Sequence, residues 1–166
     1  MQTDTDPNAG IQKVAELIKD IRTAMLVTLT PEGKPHSRPM ATQDAEFDGS
    51  IWFLSDVDSQ KIVDIAAFPT VAVTYASSAS ESYLSLTGRA QVLNDRGRIK
   101  EFWNKFMDAW FDGPDDPRVR LIRVDIEQAE YWDTPGGKIA SLLSMARADV
   151  TGKPDNSNNN ETVQFG

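Results

Sequence analysis

Apolar residues return every three or four positions over residues 11–23: Val14, Leu17, Ile18 and Ile21 share one side, and Lys13, Glu16, Lys19, Asp20 and Arg22 lie elsewhere. That spacing predicts an amphipathic helix. The period then shortens. A short apolar run over 25–30, a turn at Pro31-Glu32-Gly33 and an extended stretch from Pro35 predict a hairpin. A second turn at Asp48-Gly49 leads into Ser50-Ile51-Trp52-Phe53-Leu54, a strand by its aromatic and β-branched content.

Asp58 and Ser59 offer capping side chains for a helix over 61–68, with Ile62, Ile65 and Ala66 on one face and Pro69 as its stop. Residues 70–75 predict another strand. Over 83–93, Leu84 and Leu86 alternate with Tyr83, Ser85 and Thr87, the two-residue period of a half-buried strand. Asp95 caps the clearest helical stripe, Ile99, Phe102, Trp103, Phe106, Met107 and Trp110, which ends at Asp112-Gly113-Pro114 and reads as core or dimer packing. Residues 119–132 form the last long strand, with Ile122, Val124 and Ile126 set against Arg123, Asp125 and Glu127. A short helix is expected over 138–147, then a loose polar tail containing Asn158, Asn159 and Asn160.

About six hairpin-joined strands with helices between them predict a mainly β fold, an antiparallel barrel with flanking helices. Regular βαβ alternation is missing, which argues against a Rossmann domain. The expected organisation is a flexible segment over 1–10, one domain over 11–148 and a tail over 149–166.

Charge narrows the partners. Seventeen basic against 25 acidic residues give a net charge of −8, so nucleic acids and anionic membranes are repelled by the mean field. No apolar run approaches the ~20 residues of a membrane-spanning helix. The polar first ten residues lack a leader pattern, and a cytoplasmic protein is expected. Cysteine is absent, so any redox chemistry needs an external cofactor.

A small anion remains possible where basic groups gather. On an extended backbone Lys34, His36 and Arg38 point to one side, and Pro35 and Pro39 mark the segment as a sheet edge. The alternative for this segment is a solvated hairpin face. Downstream, Ser55 ends a strand and Gln60 and Lys61 open a helix, whose first turn presents free N–H groups and a partial positive charge. Brought together, Arg38, Ser55, Gln60 and Lys61 suit one phosphate, the arginine as a fork and the lysine as a point charge. Asp44, Glu46 and Asp48 lack the distal bidentate carboxylate of a calcium loop. Pro135-Gly136-Gly137-Lys138 lacks the rest of a phosphate loop.

Ser37-Arg38-Pro39-Met40, the strand end Phe53-Leu54-Ser55 and the helix opening Ser59-Gln60-Lys61, in this order and spacing, resemble the pyridoxamine 5′-phosphate oxidase-like split barrels. Thr87-Gly88-Arg89-Ala90 and Glu130-Tyr131-Trp132-Asp133 resemble the bacterial general stress protein branch more narrowly. The resemblance implies a six-stranded antiparallel split barrel and a homodimer with two flavin mononucleotide (FMN) sites at its interface. It implies phosphate ligation by Arg38 and Lys61, backbone contacts from Pro39, Met40 and Ala41 to the flavin ring, and a strand-end contact at Leu54 and Ser55. Gln60 stands where the oxidases carry a second arginine, and Tyr83 where they place a glutamine on the flavin. Trp132 either stacks near the cofactor or packs at a strand end.

One departure bears on substrate. The oxidases grip their substrate phosphate with a basic, histidine-containing C-terminal segment, whereas here Lys153 is the only basic residue beyond Arg147 and His36 the only histidine. Vitamin B6 oxidation is therefore not expected. The resemblance implies an FMN-dependent oxidoreductase acting on a small molecule in a stress setting. A non-catalytic flavin carrier or sensor, or a split barrel using a deazaflavin or haem, stands as the alternative.

Overall fold

The computed structural model describes residues 7–133 and 159–165. Helix α1 (Pro7–Ile21) opens earlier than the periodicity predicts, with proline at its first position, where a missing N–H costs nothing. It buries Val14, Leu17 and Ile18. Strands β1 (Thr23–Leu29) and β2 (Pro35–Ala41) form the expected hairpin. Its turn closes through Gly33 N–H to Thr30 O (2.7 Å), with Gly33 at φ 79°, a conformation open to glycine. Then come β3 (Ser50–Asp56), helix α2 (Gln60–Ala67), β4 (Thr70–Ser77) and β5 (Ser82–Leu93). Helix α3 (Arg96–Phe102), a 3-10 turn (Lys105–Ala109), β6 (Val119–Asp133) and β7 (Asn159–Gln164) complete the described chain.

All strand pairs are antiparallel, in the order β2-β1-β4-β5-β6-β3, with β7 also on β6. The mainly β, antiparallel expectation holds, with two corrections. First, the described residues form seven strands, and the sheet is not closed. β2 and β3 are its ends, linked near the seam by a backbone bond from Gln43 N–H to Trp52 O (2.9 Å). Second, the seventh strand lies in the stretch read as a loose tail. It places a single apolar side chain, Val163, in the core, while Glu161 accepts from the Tyr131 hydroxyl (2.6 Å). One inward valine among polar residues is too weak a signal for a composition-based reading.

The long aromatic helix is also broken in two. Phe102 ends α3, Trp103 is extended, and the Asn104 side chain accepts from Phe106 N–H (3.0 Å) to start the 3-10 turn. A short polar side chain competing for backbone donors interrupts what the apolar spacing alone would continue. Ile99 is buried against Trp52, Leu54, Phe111, Val119 and Leu121, but Phe106 and Trp110 are 85% and 76% exposed. The stripe is therefore only partly core. The helix expected over 138–147 and the glycine pair at 136–137 lie outside the described residues. Among the described residues, no helix is long and apolar enough to cross a membrane.

Gly88 shows why its motif needs a glycine. The β5–β6 register shifts there, and a Cβ would sit 2.4 Å from the Asp125 carbonyl oxygen, closer than atoms can approach. Gly88→Ala should lower unfolding stability by about 1–3 kcal/mol, whereas Gly97→Ala, whose nearest neighbour would be the Asp95 carboxylate at 3.5 Å, should not. Chemical denaturation of both variants checks this; equal stabilities would contradict the close approach.

Candidate functional site

Inward positions along β1 read Ala24, Leu26, Thr28, so a hydroxyl takes the third place in an otherwise apolar row. Helix α2 packs over this end of the sheet and buries Asp64 beside Ile65. Asp64 is wholly inaccessible to solvent, and a buried carboxylate must be hydrogen-bonded and charge-paired to be tolerated. Its partners are all present. Thr28 Oγ1 donates to Oδ2 at 2.7 Å, Gln60 Nε2 donates to Oδ1 at 2.9 Å, and Arg38 Nη2 reaches Oδ2 at 3.4 Å. Burial pushes the Asp64 carboxyl up, but the Gln60 and Thr28 bonds and the Arg38 charge outweigh it, leaving the group below the ordinary carboxylate value.

Arg38 reaches this carboxylate from the edge strand. Register places it opposite Leu26, and its Nη1 donates to Thr28 Oγ1 (2.7 Å) and Leu26 O (3.3 Å). Nη2 is shared between Asp64 and His36 Nδ1, the latter at 2.9 Å. The expectation that His36 and Arg38 point to one side is met.

Lys61 comes from the first turn of α2, and its Nζ donates to Ser55 Oγ (3.2 Å) at the end of β3. Burial first, and then the nearby Arg38 charge, hold its ammonium below the ordinary lysine value, with Asp56 acting the other way. The two cations are thus folded together. Ser59 occupies the N-cap position but makes no cap bond. Its hydroxyl donates instead to Asp56 O (2.8 Å) and lies 2.9 Å from Ser55 Oγ. The expected side-chain capping does not occur, so the first-turn N–H groups beside Lys61 keep no side-chain acceptor.

Other residues singled out from the sequence are placed differently. Gln60 turns inward to Asp64. Leu54 faces the second apolar cluster, on the opposite side of β3 from Ser55. Pro39, Met40 and Ala41 lie on the edge strand, with Met40 against the main core. Tyr83 and Trp132 are cross-strand neighbours on β5 and β6, and Tyr83 is exposed. They stand three and four strands from β2 in the sheet order, with β6 the direct neighbour of β3. A cavity of about 470 Å³ lies elsewhere, between α1 (Glu16, Lys19) with the following Arg22 and residues 42–47. Asp44 and Glu46 line it, and no acidic or histidine cluster among the described residues is arranged for a metal ion.

Three participants went unnoticed in the sequence: Thr28, Asp64 and the pairing of His36. A signal existed for Asp64. Gln60 and Asp64 stand four apart on one helix, within bonding reach, and the carboxylate falls one residue from the apolar Ile65 of α2.

The model of the pyridoxamine 5′-phosphate oxidase like family matches residues 9–156. The chain is 27% identical to general stress protein 26 of Bacillus subtilis, over 70% of this chain and 83% of that protein. A solved structure assigned to general stress protein 26 from Jannaschia sp. CCS1 is 28% identical, covers 95% of this chain and 99% of its own, and has a TM-score of 0.75. The general stress FMN/FAD binding protein of Xanthomonas citri is 26% identical, with 76% and 89% coverage and a TM-score of 0.66. With the family's motifs in place on an open antiparallel sheet, this chain belongs to the pyridoxamine 5′-phosphate oxidase-like family.

Proposed function

We propose that the protein binds FMN, seating its phosphate between Arg38 and Lys61. The observation that carries this reading is the placing of Lys61, half-buried beside Ser55 at the end of β3 with its charge opposed by Arg38. The uncapped first turn of α2 adds N–H donors beside them. Asp64 compensates Arg38 in part, so the net attraction rests chiefly on Lys61. A flavin supplies hydride or electron transfer to a chain that has no cysteine of its own. Pro39, Met40 and Ala41 lie at the open edge, where backbone groups can line the ring. Tyr83 and Trp132 would add side-chain contacts to the flavin in the homodimer that the family resemblance implies.

In this reading the protein is an oxidoreductase acting on a small molecule in a stress setting, as a flavin-binding general stress relative suggests. A carrier or sensor is the second reading, favoured by the scarcity of basic residues and histidine beyond Arg147. Anaerobic mixing with NADH or NADPH separates the two: loss of the yellow absorbance identifies an oxidoreductase, and unchanged absorbance after both reductants favours the carrier.

Purified protein titrated with FMN should acquire flavin absorbance that survives gel filtration; protein that stays colourless would end the proposal. Lys61→Ala should weaken FMN by about 2 kcal/mol, roughly thirtyfold, with little change for riboflavin. Equal loss for both ligands would place Lys61 away from the phosphate.

Asp64→Asn tests the anchoring of Arg38. It leaves a buried guanidinium without its counter-charge and should cost about 2–4 kcal/mol of stability near neutral pH. Because the folded carboxyl lies below its ordinary value, its contribution is present above about pH 4 and is lost as pH falls below that. The gap between wild type and Asp64→Asn in denaturant melts should therefore narrow in acid. A constant gap would show that the carboxylate's charge does not matter.

A further inference from the structure

The Arg38 guanidinium has no Nη hydrogen to spare: both on Nη1 go to Leu26 O and Thr28 Oγ1, and both on Nη2 go to Asp64 and His36 Nδ1. Asp64 and Thr28 are sealed in the interior, and Leu26 O belongs to a paired strand. His36 alone is an exposed acceptor. An anion arriving from solvent to take an Nη hydrogen of Arg38 must therefore compete with the imidazole.

Arginine can only donate, so Nδ1 of His36 is the acceptor in this bond and carries no proton. Protonating that nitrogen ends the bond and sets a second cation against the guanidinium. Charged groups on the surrounding elements are Glu32, Lys34 and Arg38 of the hairpin and Lys61 and Asp64 of α2. A bound dianion would accept a hydrogen bond from a protonated imidazole.

We propose that His36 is the exchangeable partner of Arg38: it holds one Nη2 hydrogen in the free protein, yields it to an entering oxyanion, and takes up a proton from solvent to donate to that anion. The inference rests on the reading that Arg38 and Lys61 form the phosphate site. It adds a role for the chain's single histidine, as a binding residue that couples anion capture to pH.

Sulfate is the probe, because it stays dianionic near neutral pH and any pH slope then comes from the protein. The sole histidine gives one set of imidazole proton resonances. In wild-type protein their titration should move to higher pH in sulfate relative to chloride at matched ionic strength. Sulfate affinity should fall by about tenfold between about pH 6 and pH 8, as expected for one linked proton whose affinity changes by about a pH unit. His36→Ala should flatten that slope. An imidazole titration unmoved by sulfate, no sulfate binding at about pH 6, or a wild-type slope in His36→Ala would each overturn the proposal. FMN binding with an unresponsive imidazole would sink the histidine role and leave the flavin reading standing. A responsive imidazole with no FMN uptake would do the opposite.

Discussion

A carboxylate with no access to water holds the candidate site together. Asp64 draws the Arg38 guanidinium inward from the edge strand and keeps Thr28 and Gln60 turned toward it. Such a pair gives up much of its Coulomb gain to desolvation, so its value lies less in net stability than in geometry. With its Nη hydrogens all engaged, Arg38 is fixed in one orientation rather than free to sample many. A preset guanidinium loses less conformational entropy when an anion arrives. The opposing effect is electrostatic, since the carboxylate cancels part of the positive field that would attract the anion.

Strand β6 supplies the frame on which this arrangement rests. It pairs with β3 over its first half, with β5 along its length and with β7 at its end. The β3 pairing sets where Ser55 ends and α2 begins, and so where Lys61 meets Ser55. The extra residue opposite Thr87 and Gly88 bends the sheet, bringing its two ends near enough for Gln43 to bond Trp52. The arginine on β2 and the lysine after β3 come near enough for the Arg38 charge to act on Lys61.

The two apolar clusters divide the labour along β3. Ile51 and Phe53 fill the main core, while Trp52 and Leu54 fill a second, smaller one under α3 and the 3-10 turn. A strand buried on both faces is held rigidly, which suits the element that delivers Ser55 to the site. Asp116, fixing the loop before β6 through Arg118 and the Asp112 N–H, is held far below the ordinary carboxylate range, first by the Arg118 bond. Arg96 donates to the carbonyls of the same loop. Arg118 also pairs with Asp56 (3.8 Å), whose charge acts on Lys61, so the loop is linked to the cation pair.

Much of this was legible in the residues. Alternation over 83–93 and 119–132 gave the right faces of β5 and β6, because period two survives wherever one face is buried. The prolines at 35 and 39 correctly placed β2 at an edge. Other features were hidden for physical reasons. β7 carries one inward valine in a polar run, and the α3 stripe is cut by an asparagine whose capping role depends on local backbone rather than apolar spacing. Sequence by itself determined six of the seven described strands and that no thiol is available. Tertiary structure alone decided that Asp64 is buried and paired with Arg38, that Gln60 turns to Asp64, and that Tyr83 and Trp132 are cross-strand neighbours. Those outcomes depend on how a curved sheet brings separate segments into contact, and spacing along one chain does not encode distance across the fold.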